Sequence, residues 1–273
     1  MMESILALLF GLVIGSFLNV CIYRWPRDLS VVRPRSHCTA CERTIAWYDN
    51  IPLASFTALR GRCRHCGARI PIRYPVVELL TGALFFAYVR AMGPGLHALR
   101  DCVFSALLVG LIFSDWEERI LPDEFTLGGA LLGVAFSFLV PVPDQTAKVI
   151  SWLAGHEIQG RVQSVAESVL GGTLPALLLW GGGWLYEKIR HREGLGFGDV
   201  KLIAMVGTFL GVRGALLTLI LGSVAGSLIG YVYILATKKD AATYELPFGT
   251  FLGFAALASS LTGDRMLAWY GTL

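Results

Sequence analysis

Two aspartates stand where apolar segments meet polar ones. Asp115 closes the run Phe113-Ser114-Asp115, ahead of Trp116-Glu117-Glu118-Arg119-Ile120-Leu121-Pro122-Asp123, and Asp199 follows Gly196-Phe197-Gly198. An ionisable group at a membrane edge is costly to desolvate, so each raises a functional hypothesis. Two carboxyl groups within hydrogen-bonding reach cannot both ionise comfortably. Sharing a proton, one acts as base toward water and the other as acid toward a carbonyl. That is aspartic-protease chemistry, and it needs neither a metal nor a nucleophilic side chain. The glycines before Asp199 let extended backbone approach the carboxylate. They do not make a dinucleotide fingerprint, because Asp199 stands where the third glycine would be. Taken singly, Asp199 could cap a helix N-terminus, and Asp115 could belong to a solvated acidic cluster with Glu117, Glu118, Asp123 and Glu124.

A second constellation is Cys38-Thr39-Ala40-Cys41 with Cys63-Arg64-His65-Cys66, two C-x-x-C pairs separated by 21 residues. Four thiolates on two knuckles satisfy a tetrahedral zinc ion at this spacing. Four protein ligands leave no open coordination position, so such a metal organises the loop and performs no chemistry. A redox pair is the competing reading, and a disulfide would need an oxidising compartment. His37 and His65 could each replace a cysteine, although beside a complete set they read as surface histidines. Cys21 and Cys102 lie in apolar segments, where cysteine behaves as a small buried hydrophobe.

The elements that must position these groups are membrane helices. Of 273 residues, 55% are hydrophobic and 16% charged, against about 25% charged in soluble domains. This excludes a soluble enzyme, a disordered chain and a secreted disulfide scaffold, and it predicts an all-α polytopic membrane protein. Eight spans are predicted, over 3–23, 75–92, 97–114, 124–141, 166–189, 199–212, 214–236 and 249–270. The division between the sixth and seventh rests on Gly211, Arg213 and Gly214. The domains expected are a first transmembrane helix (1–23), a cysteine-bearing loop domain (24–74) and a seven-helix core (75–273). A short interfacial helix is expected within 142–165. Gly222, Gly226 and Gly230 follow small-xxx-small spacing, which permits close helix contacts. No sustained internal repeat is apparent.

Charge sets the orientation. The first span has no Lys or Arg before it and Arg24 and Arg27 after it, the reverse of a cleavable signal peptide. With both termini outside, 17 of the 23 Lys and Arg fall on inner segments, as the positive-inside rule requires. The cysteine loop, with ten basic residues and the acids Asp28, Glu42 and Asp49, is then cytoplasmic and reducing. Both aspartates fall on that same face. A basic zinc loop also suggests nucleic acid, but Trp25, Trp47, Tyr48, Phe56 and Tyr74 form no base-stacking pattern. Anionic lipid headgroups are sufficient partners for its charge, and no nucleic-acid partner is expected.

These motifs together resemble the prepilin peptidases, the type IV leader peptidases of the GxGD aspartyl protease group. The matching stretches are GSFLNVCIYRWP (15–26), the two cysteine pairs, YPVVELLTG (74–82), D-x-x-x-x-x-L-P-D (115–123), GFGDVKL (196–202) and PFGTFLG (247–253). The GxGD tetrad alone is weak; the ordered set is specific. The resemblance implies an inner-membrane endopeptidase that removes a short basic leader ending in glycine from prepilins or pseudopilins, on the cytoplasmic side. By motif match, the catalytic pair is Asp115 and Asp199, with Asp123 ranked below them. Members with the four-cysteine domain also N-methylate the new amino terminus with S-adenosylmethionine, so that second activity is implied here. No glycine-rich cofactor fold marks where the methyl donor sits.

Asn19, Arg24, Glu78 and Gly82 lie in the matching N-terminal stretches. Glu78, a lone acid in an apolar helix, either pairs with a loop arginine or belongs to the methyl-transfer region; the pairing is the preferred expectation. The competing functions are a cleavage-only peptidase, an ion- or proton-coupled transporter using the same aspartates, and a noncatalytic zinc-bearing scaffold for pilus or secretion assembly.

Overall fold

The computed structural model describes residues 1–155, 158–191, 195–237 and 247–270, without the side chains of 264, 265 and 267–270. Arg192, Gly194, Lys238 and Lys239, which enter the charge and glycine patterns above, lie outside the described residues, as does the Arg265 side chain. Among the described residues the regular structure is helical, with two isolated antiparallel bridges. In order the helices are α1 (Met2–Arg24), α2 (Ala54–Ala58), α3 (Arg73–Met92), α4 (Leu96–Glu118), α5 (Asp123–Ser137), α6 (Thr146–Leu153), α7 (Gly160–Arg190), α8 (Phe197–Thr237) and α9 (Phe248–Tyr270).

The eight segments expected to span a membrane coincide with these helices, except that 138–141 lies past the end of α5, and α6 lies where a short helix was expected. By length and hydropathy, five described helices can cross a bilayer: α1, α3, α4, α7 and α8. α5 has 15 residues, and Phe248–Gly263 is a shorter apolar helix. The sixth and seventh expected spans lie within one element. α8, 41 residues long, is two helices joined at Gly211, whose φ of 72° is open to glycine at little cost.

The chain divides into two compact units, Met1–Gly110 and Leu111–Leu273. In the first, α1 packs on α3 at backbone distance. A Cβ on Gly15 would lie 2.6 Å from the Glu78 Cα, and one on Gly11 would lie 2.8 Å from the Gly82 Cα. Such small-residue crossings are how membrane helices gain van der Waals contact without a hydrophobic driving force. Asn19 fastens the crossing, its amide nitrogen donating to the carbonyls of Gly15 (3.2 Å) and Tyr74 (3.1 Å). Arg24, buried at the foot of α1, donates to the Ser30 and Pro34 carbonyls, each at 2.8 Å, and so gathers the start of the loop.

In the second unit α8 is the centre, packed against α5, α7 and α9. Gly171 of α7 and Gly207 of α8 meet backbone to backbone, and the Ser168 hydroxyl donates to the Thr208 carbonyl (2.8 Å). Gly222 takes the Leu252 side chain of α9. Two buried acids moor the connection around α6. Glu167 accepts the amides of Ala147 (2.9 Å) and Lys148 (3.2 Å). Asp144 accepts those of Val212 (2.6 Å) and Arg213 (3.2 Å), capping the second half of α8 where its orphan donors begin.

Candidate active site

Asp115 and Asp199 both belong to the second unit. Asp115 ends the last buried turn of α4, and Asp199 stands in the first turn of α8. Their exposures, 6% and 8%, leave little water at either carboxyl, and the two lie within electrostatic reach of each other. Helices distant in sequence thus carry the two expected residues into one region of the second unit.

Their surroundings differ. Asp115 Oδ2 accepts two bonds from Thr250, one from the backbone N–H (2.6 Å) and one from the hydroxyl (2.8 Å). α9 can bring Thr250 this close because residue 249 is glycine: a Cβ there would lie 3.1 Å from the Asp115 Cγ. Asp199 has its backbone N–H on the Gly196 carbonyl (3.1 Å). Its carboxyl has no hydrogen-bond partner among the described residues. The glycine of GxGD next to the aspartate, Gly198, has a packing reason: a Cβ there would be 3.2 Å from Leu121 Cδ1, and the same leucine stands 3.0 Å from a Cβ on Gly249. Leu121 thus fills the space at both glycines.

Asp123 starts α5, exposed, and pairs with Lys201 of α8. It holds the turn after α4 against the start of α8 and does not join the buried pair. Thr250 was not singled out by the sequence reading. The PFGT stretch carried its signal, but a hydroxyl 135 residues from its partner acquires meaning only through α9.

In the first unit the four cysteines converge: their sulfurs all lie within 4.8 Å of one another, and this set alone forms such a cluster among the described residues. Cys38 and Cys66 Sγ are 3.8 Å apart, about the edge of a tetrahedron built on Zn–S bonds of roughly 2.3 Å. The two knuckles are built alike. In the first, Cys38 N–H meets Arg43 O (3.0 Å) and Ile45 N–H meets Ser36 O (2.8 Å); in the second, Cys63 N–H meets Ala68 O and Ile70 N–H meets Gly61 O, both at 2.8 Å. Glu42 and Gly67, each following the second cysteine of its knuckle, share a positive φ. Backbone N–H groups of Cys66 and His65 bring the Cys63 thiol down to about 7. Opposing the Ala68 amide, burial and the three neighbouring thiols push Cys66 up to about 11. Four thiolates without a cation are unfavourable, so the donor set suits a metal ion. His37 and His65 make other contacts, with Arg35 O (3.1 Å) and Arg43 (3.4 Å). Arg64 forks onto Asp49, with bonds down to 2.6 Å, and holds its carboxyl below the usual range.

Glu78 departs from expectation. Its Oε2 accepts the backbone N–H of Leu53 (2.8 Å), with Ser16 as a further donor, and not a loop arginine. Leu53 has a φ of 57°, so the carboxylate ties down a strained turn of the loop.

Residues 9–92 match the bacterial peptidase A24 N-terminal domain, and residues 102–231 match the type IV leader peptidase family. A prepilin leader peptidase/N-methyltransferase of Aeromonas hydrophila is 34% identical over 98% of this chain and 93% of its own. This chain belongs to the type IV leader peptidase family. A relative of the same name from Pseudomonas putida is 33% identical over 96% of this chain and 92% of its own. One from Myxococcus xanthus is 40% identical, over 86% of this chain and 64% of the relative. No solved structure matches the chain. In this leader peptidase family member the first match covers the α1–α3 crossing and the cysteine knuckles, and the second covers both aspartates; Thr250 lies beyond it.

Proposed function

We infer that this protein is a prepilin leader peptidase and N-methyltransferase, a multi-pass enzyme of the bacterial inner membrane. The observation that carries the peptidase reading is the asymmetric buried pair: Asp115 held by two donors from Thr250, and Asp199 with its carboxyl free. Family membership supports the same reading, and so do the names of the relatives.

The roles follow from the hydrogen bonds. Two donors on one oxygen suit a carboxylate, so Asp115 is assigned as the base that takes a proton from water. Asp199, without donors of its own and beside that negative charge, is assigned as the acid that protonates the scissile carbonyl; on collapse the proton that Asp115 took from water passes to the leaving amine, and Asp199 recovers its own from the tetrahedral hydroxyl. The substrates proposed are prepilins or pseudopilins, cut after the glycine of a short basic leader on the cytoplasmic side. Their apolar helix adds binding energy by packing against the enzyme's helices. The proposed topology has both termini outside and the loop 24–74 in the cytoplasm, facing anionic lipid.

For the cysteine cluster the proposed ion is zinc, held by Cys38, Cys41, Cys63 and Cys66 and saturated by them. It fixes two knuckles that no sheet or core would otherwise hold. S-adenosylmethionine, the donor implied by the family, supplies an electrophilic methyl group when bound. The cavities of the first unit do not match it well. One has a volume of about 210 Å³, below the roughly 300 Å³ at which pockets for drug-sized ligands begin. The wider groove beside it has no Asp or Glu to receive a ribose diol. No step is derived through the donor.

The test is cleavage of a model prepilin in proteoliposomes by wild type, Asp115→Asn and Asp199→Asn. Full activity in either variant sinks the assignment of the pair. Mass spectrometry of the product, with methyl donor supplied, reports the second activity as a mass gain at the new amino terminus.

A further inference from the structure

The two halves of α8 are packed by different neighbours. The first half (197–210), which begins near Asp199, lies against α5 and α7. A Cβ on Gly133 of α5 would lie 2.8 Å from Thr208 Cβ, one on Gly172 of α7 would lie 2.8 Å from Thr208 Cγ2, and the Phe136 and Phe209 rings stand 6.3 Å apart. The second half (212–237) lies against α9. A Cβ on Gly222 would lie 3.2 Å from Leu252 Cα, and the Thr218 and Ser259 hydroxyls are 3.2 Å apart. α9 in turn holds the end of α4, with Gly253 against Ile112 and Thr250 on Asp115. Asp199 thus rides on one packed group, and the hold on Asp115 rides on the other.

Near the acids the two groups meet at Leu121 and at the Asp123–Lys201 pair. At the far end, about 18 Å along the helix from Asp199, they are joined at Gly211. Its φ of 72° and ψ of −174° lie in a region essentially closed to other residues. The Asp144 side chain, with no exposed surface, reaches across this joint. Its Oδ2 accepts the amides of Val212 and Arg213 at the start of the second half, and its Oδ1 accepts the Gln145 amide (2.7 Å) and the Thr146 hydroxyl (3.1 Å). The segment that carries Asp144 belongs with α7: Ser164 accepts the Val142 amide (3.2 Å), and Glu167 accepts those of Ala147 and Lys148. One carboxylate thus ties the second half of α8 to the group that holds the first half.

We propose that Asp144 and Gly211 are positioning residues of the catalytic pair, given the peptidase reading on which their role rests. Gly211 sets the angle between the halves of α8, and Asp144 fixes it. Through the second half and α9, that angle places Thr250, and with it Asp115, relative to Asp199. Neither residue touches substrate. A misplacement of about 1 Å at a distance from the chemistry costs about a hundredfold in rate, so the clasp matters to turnover without taking part in it. Substitution there should leave the substrate's apolar helix free to bind and should slow the step that needs both acids in place.

The test is cleavage of a model prepilin by the full-length protein in proteoliposomes. Asp144→Asn keeps the side chain's shape and one acceptor oxygen; Gly211→Ala reaches the same joint through backbone strain and serves where the first variant does not fold. Each should lower kcat about ten- to a hundredfold, with KM within about twofold of wild type. The double variant Asp144→Asn/Thr250→Val should lose at least about threefold less than the product of the single losses, because both changes act on Asp115. Spin labels on unnatural residues at 178 of α7 and 224 of α8 should show a shifted or broadened distance in either joint variant. Unchanged kcat, a rise in KM that accounts for the loss, single losses that multiply in full, or an unchanged label distance overturns the proposal. Wild type that cleaves while both joint variants match it loses the joint and keeps the function. Wild type that cleaves nothing loses the function, and the label distance alone then decides the joint.

Discussion

The cysteine cluster and the aspartate pair are opposite solutions to placing reactive side chains. The cluster is built from two like knuckles that bring four thiol donors within 4.8 Å, and an ion there would have no vacant position. The pair is asymmetric, with one carboxyl held by Thr250 and the other without a partner. Saturation makes a scaffold, because every ligand then resists displacement. An acid with no protein partner at its carboxyl makes a reagent, since a substrate can supply what it lacks. The difference lies in the number of satisfied bonds, not in residue type.

The strongest way to break this contrast is to neutralise the pair. Asp115→Asn and Asp199→Asn should each lower prepilin cleavage by about a thousandfold or more, while zinc content by elemental analysis stays at the wild-type level. Loss of zinc in Asp199→Asn would mean that the pair is structural too. Next, Cys38→Ser should weaken zinc retention against a chelator by at least about a hundredfold, because three thiolates and water replace a closed site. Wild-type retention would show that the cluster is not a four-thiolate site. Thr250→Val should cost about ten- to a hundredfold in kcat, the range for one hydrogen bond to a charged group, with Thr250→Ser recovering most of it. An unchanged rate in the valine variant would remove the asymmetry. The smallest effect is expected for Asp123→Asn. Its exposed pair with Lys201 should be worth about twofold in rate at most, and a loss as large as that of Asp115→Asn would place Asp123 in the reaction.

Much of the second unit is legible along the chain. Asp115 and Asp199 are conspicuous because a charge in an apolar segment is expensive, and the break at Gly211 is visible because Gly211, Arg213 and Gly214 interrupt an apolar stretch. The cysteine spacing likewise names its own geometry. Thr250 and Leu121 are different. A threonine and a leucine are unremarkable in apolar helices, and their roles come from contacts 135 residues apart for one and at two glycines of different helices for the other. Glu78 was conspicuous, yet its partner was misjudged, since charge counting suggests an arginine and cannot foresee a strained backbone amide at Leu53.

The sequence by itself determined the class of solvent, the helical segments, the four metal-ligand candidates and the two acids. Those follow from composition, period and local spacing, which are properties of neighbours along the chain. Tertiary structure alone decided which acid is held and which is free, that Asp123 pairs outside the site with Lys201, and that Asp144 reaches across the joint of α8. The reason is hydrogen-bond accounting. Whether a buried polar group is satisfied depends on donors and acceptors brought from distant segments, and only the packed helices say which of them arrive.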